Sequence, residues 1–320
     1  MSRPSVLLSH NQFPKDVIDL LSEKFDVEVL DVEGLKVSKQ LLLKKVTGKF
    51  GLIVCGMNEI DEEVIKTAGT NLKVISTTSM GYDQIDLDAL KKRGIRLGNS
   101  SIVTAESVAE LTIGLLIATS RCFFSLNQEL KLGKKQVNSS IGLLNSVVGI
   151  IGCGNIGISI ANKLSAFHLK KLLYTSRQQK AVVESLGGQF VSIDELVMSS
   201  DYIILTSVLS PETRYTINRS RLSSMKSNVV IINIGRGQLI DQDALIDALK
   251  EKRIRGAGLD VMTPEPLPMD SPLRSMENVV LLPHIAGQNV HGNSLRKSLL
   301  AANNVISVLE NRAMPCEVIF

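Results

Sequence analysis

Along the first hundred positions, short apolar runs alternate with stretches of helical amphipathic spacing. Runs rich in Val, Ile and Leu occupy residues 6–8, 27–30, 52–55, 74–77 and 95–97, and amphipathic stretches occupy 14–25, 38–46, 62–68 and 87–93. Strands without polar alternation are buried on both faces, and their regular interleaving with helices is the pattern of a parallel sheet covered on both sides. The chain then turns small and polar at Gly98-Asn99-Ser100-Ser101, and Thr104-Ala105-Glu106-Ser107 reads as the start of a long helix, which places a domain crossing near Ser100. A second series supplies strand candidates at 147–151, 172–175, 202–206, 229–234, 257–261 and 279–282. Six strands suit a complete dinucleotide-binding fold. The last helix, about 293–310, is expected to return to the first domain. The reading is therefore α/β, with two doubly wound parallel-sheet domains and a cleft between them. Their bounds are 1–100 plus 287–320 for one, and 101–286 for the other.

Composition narrows the classes. A chain of 320 residues, 44% hydrophobic and 21% charged, is long enough for two cores. Its net charge of +4 is spread over interleaved acids and bases, so no nucleic-acid surface is expected. Cys55, Cys122, Cys153 and Cys316 show no paired spacing, which argues against a zinc site or disulfide framework and for a reducing, cytoplasmic setting. No metal is expected. The apolar start at 6–8 is too short for a signal-peptide core, and the apolar stretch 108–118, interrupted by Glu110, falls below the roughly 18 residues of a membrane span.

The motif with the clearest chemistry is Gly152-Cys153-Gly154-Asn155-Ile156-Gly157, set between the apolar run 147–151 and a helical stretch. In that context the first glycine permits a tight turn, the second lets backbone approach a pyrophosphate, and the third lets helix and strand pack closely. An acid that would hold the ribose 2′-hydroxyl of NAD belongs about 20 residues further on. Here the second strand runs into Ser176-Arg177-Gln178, with no Asp or Glu between Gly157 and Glu184. NADP(H) is therefore preferred, with NAD(H) possible.

Three polar groups follow strands of the second series. Arg236 stands in Asn233-Ile234-Gly235-Arg236-Gly237, Glu265 in Thr263-Pro264-Glu265-Pro266, and His284 in Pro283-His284-Ile285-Ala286-Gly287. Reduction of a 2-keto acid needs such a set: a guanidinium to hold the carboxylate through paired donors, an imidazolium to protonate the carbonyl oxygen, and a carboxylate to orient and charge the imidazole. His10, His168 and His291 lack comparable surroundings and are read as structural or solvent-facing.

In this combination the sequence resembles the D-isomer-specific 2-hydroxyacid dehydrogenase family. The matching stretches are Ser79-Met80-Gly81-Tyr82-Asp83-Gln84-Ile85-Asp86, Val108-Ala109-Glu110, the glycine-rich loop, 233–237, 258–261 with Glu265-Pro266, and Pro283-His284. Within the family it is most similar to the glyoxylate/hydroxypyruvate reductases, through 74–77, 91–96, 174–177 and 298–304. The resemblance implies a flavodoxin-like substrate domain, a Rossmann-like cofactor domain, a small 2-keto or 2-hydroxy acid substrate and a homodimer. It implies His284 as proton donor, Glu265 as its partner and Arg236 as carboxylate anchor. It also implies Met80, Gly81, Asp260 and Gly287 at the substrate, and Gly152, Gly154, Asn155, Ile156, Ser176, Arg177, Gln178, Ile234 and Asp260 at the cofactor.

The sequence departs from the family pattern in a short segment at 132–145, the absence of any Trp, Ala286-Gly287 after the His-Ile pair, and Val208 at a usually polar cofactor contact. Two alternatives stay open. One is an NAD-dependent member acting on another acid, such as D-lactate or D-glycerate. The other is a nucleotide-sensing interaction protein like the corepressors that share this fold.

Overall fold

The computed structural model describes residues 3–134, 140–287 and 292–320. It divides into two compact units, Met1–Thr104 with Gln288–Phe320, and Ala105–Gly287.

The first unit is built on strands β1 (Ser5–Leu8), β2 (Asp26–Val29), β3 (Gly51–Val54), β4 (Val74–Thr77) and β5 (Arg96–Gly98), ordered β2-β1-β3-β4-β5 and all parallel. This is the flavodoxin-like order. Because side chains alternate across a sheet, Val6, Leu8, Ile53 and Val74 pack to one side with Val17, Leu21 and the helix Asn293–Leu309, through Ala301, Ala302 and Val305. Leu7, Leu52, Val54, Ile75 and Leu97 pack to the other side with Leu42, Val64, Ile65 and Leu90. Both faces of the inner strands β1, β3 and β4 are buried, which is why these read as largely apolar runs.

In the second unit, β6 (Val147–Ile151), β7 (Lys171–Thr175), β8 (Gly188–Phe190), β9 (Tyr202–Leu205), β10 (Val230–Asn233), β11 (Gly256–Leu259) and β12 (Val279–Leu281) form one parallel sheet. Its order, β8-β7-β6-β9-β10-β11-β12, is that of a dinucleotide-binding sheet with one further strand. The sheet thus has seven strands rather than the six expected. The additional one, β8, is a short edge strand with Gln189 and Phe190 exposed, so it carries little apolar signal.

A second missed strand, β13 (Glu317–Val318), runs antiparallel to β5 at the edge of the first sheet. Only two residues long, it is held by a side-chain fork in which Arg96 Nε and Nη2 each lie 2.7 Å from a carboxylate oxygen of Glu317.

The long helix is Ser101–Ser120, 20 residues, and by length and composition it could cross a membrane, which corrects the shorter stretch read from the sequence. Half of its most apolar window is buried inside the protein. Ala109, Thr112 and Leu116 are fully buried, and Leu115 and Thr119 lie over the bare Cα of Gly258 in β11. That packing accounts for the buried half of its apolar positions.

A Cβ at Gly258 would come within 2.6 Å of Thr119 Oγ1, 2.8 Å of Ile232 Cδ1 and 2.9 Å of Leu115 Cγ. None of these neighbours can move without disturbing the interior. Gly258→Ala should therefore destabilise the protein by about 1–3 kcal/mol, read as a lower urea midpoint with an unchanged denaturant slope. An unaltered midpoint would mean that the helix does not seat on this strand as described.

Candidate active site

Three loops at the carboxyl ends of β10, β11 and β12 hold the polar groups of the second unit. After β10 the chain turns sharply: Gly235 N–H donates to Asn233 Oδ1 at 3.1 Å, and Asn233 Nδ2 donates to the Arg236 carbonyl at 2.9 Å. Gly237 follows because a Cβ there would lie 2.0 Å from the Met262 carbonyl oxygen, in the loop after β11. The two loops are in contact, so the guanidinium and the Glu265 loop are placed together.

His284 Nδ1 and Glu265 Oε2 are 2.9 Å apart, and Glu265 Oε1 accepts the Met262 N–H at 2.8 Å. Both carboxylate oxygens are thereby fixed. Burial opposes ionisation of Glu265, but its hydrogen bonds with His284 and Met262 outweigh burial and hold the carboxyl below its usual range. For His284 the hydrogen bond to Glu265 is the largest influence and raises the imidazole pKa, against burial and the nearby Arg236 charge. The pair favours an imidazolium beside a carboxylate. The His284 side chain remains about half exposed, so the ring keeps an accessible edge.

His284 itself stands at φ +56°, a left-handed conformation that side chains rarely adopt. Asp260 holds it there. The Asp260 carbonyl accepts the His284 N–H at 2.9 Å, and its carboxylate oxygens accept the N–H groups of Ile285 and Ala286, each at 2.9 Å. Asp260 is fully buried, and burial raises its pKa despite those two donors. This anchoring of the His284 loop was not visible in the sequence, which suggested only substrate and cofactor contacts for Asp260. Gly287 follows, half buried, at the last position of this unit.

The glycine-rich loop lies between β6 and the helix Asn155–Leu164, whose N-cap, Gly154, offers no side-chain cap. Gly152 has φ +96°, and a Cβ there would sit 2.6 Å from Ser207 N. At Gly157 a Cβ would meet the Gly152 carbonyl at 2.4 Å, whereas one at Gly154 would meet nothing within 4 Å. The outer glycines are thus required by the protein's own packing. The middle one faces open space beside Asn155 and Ile156 at the first turn of the helix, where the positive end of the helix dipole favours an anion. These residues fit a dinucleotide pyrophosphate.

At the end of β7, Arg177 and Gln178 are exposed and Ser176 is half-buried, with Ser176 Oγ bonded to the Gln178 carbonyl. Arg177 is in no ion pair with an acid among the described residues. Tyr174, buried at the end of β7, closes this turn by accepting the Lys180 N–H at 2.8 Å. Burial pushes the Cys153 thiol up to about 11, and the charge of Lys180 opposes that rise, which places a second cation near the glycine-rich loop. Lys180 was not singled out from the sequence because it lies in a surface turn beyond the motif. Ile234 is buried behind the β10 turn, and Val208 is exposed.

Met80 and Gly81 lie in the first unit, half-buried on the loop after β4. His10 is buried and stacked on Phe13 with ring centroids 4.3 Å apart, and His168 is exposed in a turn. His291 and residues 135–139 of the short segment 132–145 lie outside the described residues. Among the described residues no group of three or more His, Cys, Asp or Glu side chains could hold a metal ion.

Comparison with known proteins agrees with this architecture. The family pattern described as D-isomer specific 2-hydroxyacid dehydrogenase, NAD binding domain, matches residues 113–286. The human glyoxylate reductase/hydroxypyruvate reductase is 41% identical over 283 residues, covering 87% of this chain and 86% of that protein. A crystal structure of a protein from Thermus thermophilus superposes with a TM-score of 0.86 at 36% identity, over 98% of this chain and 100% of the other. The NADPH-dependent glyoxylate/hydroxypyruvate reductase of Sinorhizobium meliloti, solved with NADP and malonate, gives a TM-score of 0.83 at 28% identity over 99% and 97%. By sequence match and by fold, the chain belongs to the D-isomer specific 2-hydroxyacid dehydrogenase family.

Proposed function

We propose that this protein is a cytosolic, homodimeric, NADPH-dependent reductase of small 2-keto acids, with glyoxylate and hydroxypyruvate as substrates. The observation that carries the reading is the His284–Glu265 pair at 2.9 Å beside Arg236. With Nδ1 engaged by Glu265, Nε2 is the ring nitrogen that presents a proton to the substrate carbonyl oxygen. Arg236 holds the substrate carboxylate through its planar fork; within the first unit, the backbone N–H groups of Met80 and Gly81 are donors suited to a carboxylate. A bound dihydronicotinamide supplies the hydride. As the carbonyl carbon is reduced, His284 transfers its Nε2 proton and Glu265 stabilises the imidazolium up to that moment. Gly154 and the first turn after it hold the pyrophosphate.

The NADP preference is supported by the exposed Ser176-Arg177-Gln178 turn, the nearby Lys180, and the lack of any Asp or Glu between Gly157 and Glu184. The S. meliloti structure, a relative whose described cofactor is NADPH, points the same way. The cytosolic assignment is supported by four free cysteines, three of them buried. The dimer is supported by the helix Phe123–Lys131, which has no buried residue and leaves Phe124 60% and Leu130 72% exposed. Large apolar side chains clustered on an unburied helix mark an association surface.

Since Glu265 raises the His284 pKa, the acid stays protonated to higher pH than free imidazole, and reduction falls as pH rises through that raised value. His284→Ala should lower kcat for glyoxylate about 10²- to 10⁴-fold with little change in NADPH affinity. Glu265→Gln should move the loss of activity to lower pH, and Arg236→Lys should raise KM steeply because an ammonium lacks the paired donors. A pH profile of the Glu265 variant superimposable on wild type would remove it from this role.

For the cofactor, kcat/KM with NADPH and NADH decides. A hydrogen bond to a charged group is worth roughly 1.5–3 kcal/mol, so Arg177→Ala should weaken NADPH about 10- to 150-fold and leave NADH nearly unchanged. Adding Ser176→Asp should reverse the preference. If wild type already favours NADH, the NADPH assignment fails.

The dimer is tested by sedimentation. Wild type should sediment at twice the 34.8 kDa chain mass, and Phe124→Asp with Leu130→Asp should shift it to a monomer with its fold intact. A wild-type monomer at micromolar concentration overturns this part of the proposal.

A further inference from the structure

The loop that follows β4 is held in an unusual way. Three consecutive carbonyls, those of Thr78, Ser79 and Met80, are gripped from one side by Asn99 and Ser100. Ser100 Oγ donates to the Thr78 carbonyl at 2.8 Å, Ser100 N–H to the Ser79 carbonyl at 3.1 Å, and Asn99 Nδ2 to the Met80 carbonyl at 2.8 Å. The Ser79–Met80 and Met80–Gly81 peptides are trans. In a trans peptide the N–H points opposite to the C=O. Fixing the carbonyls of Ser79 and Met80 toward Asn99 and Ser100 therefore turns the N–H groups of Met80 and Gly81 the other way. Among the described residues neither N–H meets a protein acceptor, whereas the neighbouring Ser79 N–H donates to Thr77 Oγ1 at 3.1 Å. Half-buried backbone donors left open side by side form a concavity suited to an anion.

We infer that Asn99 is a positioning residue for substrate, setting the direction of the Gly81 N–H by holding the other end of the same peptide. Asn99 is itself immobilised. Its side-chain oxygen accepts the Ser101 N–H at 3.2 Å and the Cys316 thiol at 3.0 Å, and its N–H donates to the Cys316 carbonyl at 3.1 Å. Asn304, fully buried, completes the support by donating to the Asn99 carbonyl and accepting the Cys316 N–H. The chain end beside β13 is thus tied, through Asn99, to the peptide that faces substrate. The inference rests on the reading that Gly81 N–H binds the keto-acid carboxylate, so the test separates the two.

Steady-state reduction of glyoxylate is measured with NADPH for wild type, Asn99→Leu, Asn304→Ala and Gly81→Pro, together with inhibition by oxamate and melting temperature. Asn99→Leu is close in shape but has no donor for the Met80 carbonyl. It should raise KM and the oxamate inhibition constant together by about 10- to 100-fold, the scale of one hydrogen bond to a charged group. NADPH affinity should stay within about 2-fold. Asn304→Ala, which loosens the same network without touching Met80, should lower the melting temperature and leave KM near wild type. Should the leucine variant not accumulate, Asn99→Ser, too short to reach the Met80 carbonyl, should show the same rise. Equal KM effects in the Asn99 and Asn304 variants, or no effect in either Asn99 variant while Gly81→Pro raises KM, overturns the positioning role. A Gly81→Pro variant with wild-type KM and oxamate inhibition instead overturns the carboxylate reading on which it rests.

Discussion

The chemistry of the second unit depends on one buried carboxylate. Asp260 is removed from solvent completely, a placement that is unfavourable for a charge unless hydrogen-bond donors compensate it. The donors are the N–H groups of Ile285 and Ala286, and the Asp260 carbonyl holds the N–H of His284. A left-handed histidine is costly by itself, on the order of 1–2 kcal/mol, so the conformation at φ +56° persists because the surrounding bonds leave the loop no better arrangement. Buried charge and strained backbone compensate each other. The backbone so held brings the imidazole Nδ1 to 2.9 Å from Glu265 Oε2.

A complementary division of labour appears among the glycines. Gly157 and Gly237 are small because another backbone passes within van der Waals range, and these positions serve the fold's own packing. Gly154 has φ −81° and open space where a Cβ would go, so neither strain nor crowding requires glycine there. A side chain there would intrude only on the space open to a ligand, and a close-lying pyrophosphate is the group that fits. One motif thus holds glycines kept for two different reasons, and only the structure separates them.

Much of this architecture was legible in the sequence because both sheets are covered on both faces, which turns each central strand into an unbroken apolar run such as Val147–Ile151. The signal fails where burial fails. β8 is an edge strand whose second and third residues face solvent, and β13 is two residues held by an ion pair between positions 96 and 317. No local pattern encodes a bond across 221 residues. The long helix extends beyond the apolar stretch 108–118 because its first turn, Ser101 to Thr104, is only partly apolar and carries a weaker signal.

The site shows the same limit in another form. Arg236, Glu265, His284 and Arg177 could be singled out in the sequence because each follows a strand and carries a distinctive charged or titratable side chain. Asn99 and Asp260 act through backbone: one grips a carbonyl, the other caps two N–H groups, and neither contact requires a particular residue at the partner position. A sequence records the identity of the gripping residue and nothing of what it grips. Asn99 therefore reads as one more small polar residue in a loop, and Asp260 as a ligand contact. The residues that hold a reaction's geometry are systematically harder to read than those that perform its chemistry, because the groups they hold are common to every amino acid.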